Sequence, residues 1–448
     1  MRTPSLLLIC LSLLSPSLAL AQSVDIESAI QRAMTDRPAI HASQAQSQAA
    51  ESAVREARSR YLPKINFSET FSMTNEPGGS LFIALNQERN VMNPGSGYDL
   101  VDPAPQHDFE TRLTLEQALF DADAGYRIKE ANKHFESSQA RRNWSRESAG
   151  FAAFQAYLGV QGALAELQAV NSGEEEAREL LRLASERHRA GIGLKAEELR
   201  AQVFYSEAEH RALSARNNVI LAQRRLALSI GQEEGEIEIR TPLEASSFPT
   251  SPTTIPAAER ADLQAFALDV ESLTLAGKRS QAAYLPRLDL MASYGLHNEA
   301  SPFGADGEAW RVGAVLNWEL FDGFRRSATI ARVAAEKSAA AAELSDARRE
   351  QNFRSAEVRL RIDEARAQKE SATEAVSAAQ EGQRLLQQRY ESGLADLAEL
   401  LAMQRALDQA RSFLVAADTQ LLFSMGQALL EEGRFVTTFL SKREASRE

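Results

Sequence analysis

The 448-residue sequence predicts a mainly α-helical chain with a transmembrane β part, built as two internal repeats. Three observations predict it. Two proline-free stretches of about 70 residues, rich in Ala, Glu, Arg and Gln, read as helices roughly 100 Å long. Four short segments alternate apolar and polar residues, the period of strands with one apolar face. The order helix, strand, loop, strand, long helix, turn, helix occurs twice.

Residues 1–21 read as a secretory signal peptide. Arg2 supplies the charge, Leu6 to Leu14 the apolar run, and Ala19-Leu20-Ala21 the small-x-small cleavage site. That run is too short to span a bilayer. The single cysteine, Cys10, lies inside it and follows Ile9, which does not fit a lipidation site. Disulfides therefore do not staple the exported chain. No later segment holds 18 consecutive apolar residues, which leaves β-barrel strands open, because their hydropathy signal is weak.

The first repeat, 22–235, starts with a helix from Asp25 to Arg60, with Ile26, Ala29, Ile30 and Ala33 at helical spacing. Tyr61-Leu62-Pro63 ends it, since proline disfavours helix in the residue before it. A strand at about 64–74 carries Ile65, Phe67, Phe71 and Met73 on one face, interrupted by Glu69. Residues 75–107 carry Gly, Pro and Asn and read as a long loop. A second strand, about 109–119, alternates through Phe109, Thr111, Leu113, Leu115 and Leu119. A helical hairpin, 122–231, follows and turns at Arg187…Gly191.

The second repeat, 257–433, follows a proline-rich linker at 236–256. Tyr284-Leu285-Pro286 echoes Tyr61-Leu62-Pro63, and Leu320-Phe321-Asp322 echoes Leu119-Phe120-Asp121. Strands at about 287–296 and 310–320 carry Leu288, Leu290, Ala292, Tyr294 and Leu296, then Trp310, Val312, Ala314, Leu316, Trp318 and Leu320. A hairpin at 323–430 turns at Arg389…Gly393. Ser424-Met425-Gly426-Gln427 matches Ser229-Ile230-Gly231-Gln232, which makes the returning helices differ by one heptad. Residues 434–448 form a short tail. All 14 prolines lie outside the two long hairpins.

Strands of 10–11 residues cross a bilayer when tilted. Lipid would meet Phe67, Phe71, Phe109, Leu113, Leu115, Tyr294, Trp310, Val312, Leu316 and Trp318. Four strands cannot close a barrel and open edges are not tolerated in lipid, so several copies must share one; three copies give 12 strands. In each repeat the two shorter helices are expected to stack end to end beside the long one. The thin, alanine-rich apolar stripe of the second long helix, with Ile330, Val333, Leu344, Val358, Ile362, Val376 and Leu385, suits a wall one helix thick.

These residues resemble the TolC family of outer-membrane efflux proteins over nearly the whole mature chain. Tyr-Leu-Pro before a strand, Leu-Phe-Asp after one, the Arg-x-x-x-Gly turn and their duplication carry the resemblance. It implies a homotrimeric channel-tunnel: a 12-stranded barrel among outer-membrane lipid and a long α-helical barrel in the periplasm. It further implies a passive export duct of a tripartite efflux or type I secretion system. The partners would be a periplasmic adaptor (membrane fusion) protein and an inner-membrane pump of the RND, ABC or a similar class. The helical tips, with Arg187, Gly191, Arg389 and Gly393, would face the adaptor. The gate residues carried over are Tyr390, three before the second turn glycine, and Glu399, six after it, with Asp396 one turn earlier. Two departures stand out: Ala395 falls where the family has its gate arginine, and Ala402 where it has a second acidic residue.

No catalytic residue, cofactor or metal is expected. The six histidines are scattered, and no His-Glu-x-x-His, P-loop or Gly-x-Ser-x-Gly motif occurs. Gly191-Ile192-Gly193-Leu194-Lys195-Ala196 follows a helix and not a strand, so it reads as a turn. Glu207-Ala208-Glu209-His210 is one half of a di-iron pattern without its second half. With 62 acidic against 50 basic residues the chain is not a nucleic-acid binder. The rival readings are a periplasmic coiled-coil adaptor or structural protein, which needs no lipid-facing strands, and a periplasmic enzyme.

Overall fold

A computed structural model describes residues 22–93, 95–233, 235–248 and 260–445. The signal segment 1–21 and the linker's end at 249–256 lie outside these. The elements run β1 (Gln22–Val24), α1 (Ile26–Thr35), α2 (Pro38–Arg58), β2 (Lys64–Thr74), α3 (Pro77–Asn86), β3 (Gln106–Phe120), α4 (Ala122–Arg189) and α5 (Lys195–Ser229). They continue with β4 (Ile237–Ile239), α6 (Ala261–Ala282), β5 (Arg287–Asn298), β6 (Gly307–Asn317), α7 (Arg325–Glu391), α8 (Leu397–Glu431) and α9 (Phe435–Ala445). The long helices α4 and α7 hold 68 and 67 residues, as their proline-free sequences demand.

The chain divides into two compact units. One comprises Ala42–Trp144 and Ala261–Glu350. Its centre is an antiparallel sheet in the order β2-β3-β5-β6, so β3 and β5 join the two repeats' hairpins. The duplicated motifs meet at the foot of this sheet. Asp121 caps α4 by accepting from Ala124 N at 3.0 Å, and Tyr61 Oη donates to the Asp121 carbonyl at 2.5 Å. Asp322 accepts from Arg326 N at 2.9 Å near the start of α7, and the Arg326 guanidinium lies 4.5 Å from the Tyr284 ring centroid. A side-chain oxygen at this position satisfies a backbone N–H that the helix start leaves orphaned. Helices α4 and α6 are held by Ser137 Oγ to Asp269 Oδ1, 2.7 Å, and Arg279 to Glu130, 2.8 Å.

The other unit comprises the residues up to His41, Ser145–Arg260 and those from Gln351 on. Its largest core packs Phe154, Tyr157 and Leu158 of α4 against Ile30, Leu226, Phe248, Leu422, Phe435 and Phe439. Tyr157 Oη donates to the Thr241 carbonyl at 2.5 Å, and burial pushes its hydroxyl up to about 12. At the end of α5, Gly231 lies against Asp36 and Arg37 at the α1–α2 junction. At the end of α8, Glu431 pairs with buried Arg260 just before α6.

Five expectations need correction. The helix expected at 25–60 is two helices, because Pro38 starts a new one. The loop expected at 75–107 holds α3, whose Pro77 sits in the first turn, where a missing N–H costs nothing. The last strand ends at Asn317, so Trp318 and Leu320 lie beyond it. The tail is helical as α9, anchored by Phe435 and Phe439. The returning helices are both 35 residues long. Gly426 is interior to α8, and the counterpart of Gly231 after the helix is Gly433, both with positive φ.

Candidate functional site

Pairing register places the expected membrane-facing residues. Directly opposed residues in antiparallel strands share a face. Phe67, Leu113, Tyr294 and Trp310 form one row across all four strands. Ile65, Leu115, Ala292 and Val312 form the next, and Leu316 stands opposite Leu288. Phe71 opposes Phe109, their rings 4.9 Å apart, and Phe303 of the β5–β6 loop stacks on Phe67 at 6.2 Å. Trp310 is 76% exposed and Phe67 60% in the single chain. A bulge at Ala118/Phe120 puts Phe120, and not Leu119, opposite Leu288. Trp318 donates its indole N–H to the Tyr284 carbonyl at 3.1 Å, which ties it to the sheet's foot. The row of Glu69, Thr111, Leu296 and Glu308 breaks the apolar pattern, and Gln117, His107 and Asn298 add polar groups to the same face in other rows. A hydroxyl donates to one oxygen of each of the two carboxylates, Thr111 to Glu69 and Tyr294 to Glu308, each at 2.6 Å, while the second oxygen of Glu69 is buried without a partner among the described residues. The opposite face is polar, with Ser68–Arg112–Gly295–Ala309 and Thr70–Glu110–His297–Gly307 as its rows.

The hairpin tips form the second constellation. Both turns reverse through a glycine with positive φ, Gly191 at 76° and Gly393 at 73°, where a side chain would strain the backbone. Ile192 N and Gly193 N donate to the Arg187 carbonyl, and Leu394 N to that of Arg389. The helix ends are held by a cluster of Leu180 and Ala184 from α4, Phe204 from α5, Tyr390 from α7, and Leu397 and Leu400 from α8. Tyr390 is 1% exposed. The Arg187 guanidinium lies 4.8 Å from its ring centroid and donates to its carbonyl at 3.0 Å. Burial holds the Tyr390 hydroxyl above its usual range, the Glu197 charge adds to this, and Arg187 opposes it. Asp396 is exposed and caps α8 through Ala398 N at 3.2 Å. Glu399 is exposed in the first turn of that helix. Arg389 is exposed and donates to the Leu394 carbonyl at 3.3 Å.

Sequence reasoning missed a polar network farther along the hairpins. Buried Gln404 donates to Glu176 and, at 3.0 Å, to Asp408. Arg411 clamps Glu176 with two bonds of 2.9 and 3.0 Å, and Arg211 reaches Asp408 at 3.0 Å. Its members come from α4, α5 and α8 and are more than 190 residues apart across the repeats, so no local pattern announces them. Burial raises the Asp408 carboxyl above the ordinary range, while Gln404, Arg211 and Arg411 pull it back. Among the described residues, no group of three or more His, Cys, Asp or Glu side chains is placed to hold a metal.

A four-stranded sheet with a largely apolar, exposed face and two long helical hairpins are the parts of an outer-membrane channel chain. The sequence model of the family described as "Outer membrane efflux protein" matches residues 29–232 and 257–425, and this chain belongs to that family. The chain is 27% identical over 185 residues to the fusaric acid resistance protein FusA of Burkholderia cepacia, a match covering 39% of this chain and 35% of that one. The matched part thus spans about a third of that relative's length. The fold matches CusC, described in connection with folding and transmembrane channel formation, with a TM-score of 0.79 at 14% identity over 94% of this chain and 95% of that one. It also matches the outer membrane protein VceC of Vibrio cholerae, with a TM-score of 0.75 at 16% identity over 92% and 96%. At these identities the likeness is one of fold.

Proposed function

We propose that three copies of this chain pool their sheets into one 12-stranded barrel in the outer membrane, with the hairpins forming a periplasmic tube, as a passive export duct. The supporting observation is the sheet itself. Its apolar face is exposed, and β2 and β6 are unpaired edges among the described residues. Neither a bare edge nor a bare apolar face of this size survives alone in lipid or water. Charged groups on the polar face would then line water. The tips are the entrance: Arg187 and Tyr390 hold it shut from within, and exposed Asp396 and Glu399 offer the acidic ring. Gly191, Arg389 and Gly393 sit on the surface that a periplasmic adaptor would meet, and an inner-membrane pump would supply the energy. The relative FusA confers resistance to fusaric acid, which favours a small organic toxin over a polypeptide as cargo.

The test is purification from outer-membrane fractions in detergent, native mass measurement and planar-bilayer recording. A trimer with stepwise conductance is expected. Recovery as a water-soluble monomer without conductance would sink the reading. Trp310→Arg, at mid-sheet, should cost about 2–4 kcal/mol of membrane assembly if that face meets lipid.

A further inference from the structure

We infer that α3 is an inner collar at the outer mouth of the channel, narrowing it with an apolar ring made by Phe82 and Leu85. The inference rests on the barrel reading above and goes beyond it. If the apolar face meets lipid, the polar face lines the lumen, and α3 lies on the polar face. Gly307 sits on that face, and a Cβ there would come within 1.9 Å of the Asn86 carbonyl oxygen, so the end of α3 is pressed directly onto β6.

Both ends of α3 are tied down. At its start Ser80 Oγ donates to the Thr74 carbonyl at 3.0 Å. At its finish Gln87 Nε2 donates to the His107 carbonyl and to Asp108 Oδ1, both at 2.9 Å. The other oxygen of Asp108 meets His297 Nδ1 at 2.7 Å. Gln87, Asp108 and His297 are all buried. Just beyond, Arg89 bonds Gln106 at 2.6 Å and Glu299 at 3.3 Å, fixing the following loop to both hairpins. A surface loop has no need of a buried polar network, and this one is kept although Gln87 Oε1 and Arg89 Nε are buried without a partner among the described residues.

The helix presents an apolar side to the open space. Its buried residues, Ser80, Ile83 and Ala84, share one face with Gln87. At 100° per residue Phe82 projects almost directly opposite, and it is 67% exposed. Leu85 flanks it at 38%. An exposed Phe on a helix pinned inside a polar lumen points toward the axis, and symmetry triplicates it. Apolar constrictions of this kind control a pore by excluding water.

The test uses the full-length channel in a Cys10→Ser background with Phe82→Cys, and in parallel Leu85→Cys. Single channels are recorded in planar bilayers before and after addition of a trimethylammonium-ethyl methanethiosulfonate from the outer side. The current should change in up to three steps, by about a third or more in total, because the label sits where the pore is narrow. Phe82→Ser should raise conductance in the same assay. Label attached, as shown by mass, at both positions with no change in current would overturn the collar. No conductance from the parent channel would sink the barrel reading itself, a different result from an open but label-insensitive pore.

Discussion

Arg187, at the end of α4, stacks its guanidinium 4.8 Å from the ring centroid of Tyr390, at the end of α7 and 203 residues away. The contact couples the tips of the two repeats within one protomer. A cation over a partly desolvated ring contributes about 1–2 kcal/mol. If the tips are the entrance proposed above, Arg187→Ala should loosen it and raise resting conductance, whereas Arg187→Lys, which keeps the charge but not the planar stack, should have an intermediate effect. Single-channel recording of the three proteins checks the order; equal conductance in all three would remove Arg187 from the gate.

The hydroxyl of Tyr390 is buried and has no hydrogen-bond partner among the described residues, so the ring and not the oxygen does the holding. Tyr390→Phe should leave resting conductance at the parent level, while Tyr390→Ala, which empties the core at the tips, should raise it and cost about 3–5 kcal/mol of local stability. A Phe variant as leaky as the Ala variant would show that the hydroxyl finds a partner in a neighbouring copy.

Asp408 has its carboxyl raised in the fold, chiefly by burial. The folded state thus holds a proton more tightly than the unfolded chain does. Its contribution to stability rises as pH falls from the raised value toward the ordinary carboxyl range near 4, and the penalty is fully present above the raised value. Thermal melts of parent and Asp408→Asn between pH 4 and pH 8 should differ most at neutral pH, with the Asn variant relatively favoured there, and converge in acid. A constant difference across the range would mean that the Arg211 pair outweighs burial.

Gly426 lies inside α8 with the Phe154 ring so close that a Cβ would come within 2.3 Å of it. Helix propensity alone favours Ala there by about 1 kcal/mol. The clash in a packed core costs more, about 1–3 kcal/mol, so Gly426→Ala should lower the melting temperature. A rise would show that Phe154 can swing aside.

Asp121 and Asp322 each accept a backbone N–H near the start of a long helix. Replacing either by Ala should cost about 1 kcal/mol for the cap, and more at Asp322, where buried Arg326 loses its partner. Urea titration of the two variants reads the difference.

The length of the two long helices, the strand period and the duplication were legible because each is a local property. A proline-free run of good helix formers can be little else, and alternation at period two marks which side of a strand is apolar before any partner is known. The Tyr-Leu-Pro and Phe-Asp signatures could be found as repeats, although their reason became visible only when Tyr61 met Asp121 and Tyr284 met Arg326. Matching Gly426 to Gly231 failed because similar short motifs served different ends: Gly231 stops a helix and Gly426 makes room for Phe154.

By itself the sequence determined the rods, the ribbons and the two turns, since these depend on neighbours along the chain. The tertiary structure alone decided the strand order that joins the repeats through β3 and β5, the Arg187–Tyr390 stack, the Glu176–Gln404–Asp408 network and the burial of Asp108 with His297. Each of those brings together groups that sequence leaves far apart, and their energies arise from exclusion of water, which no single segment can achieve alone.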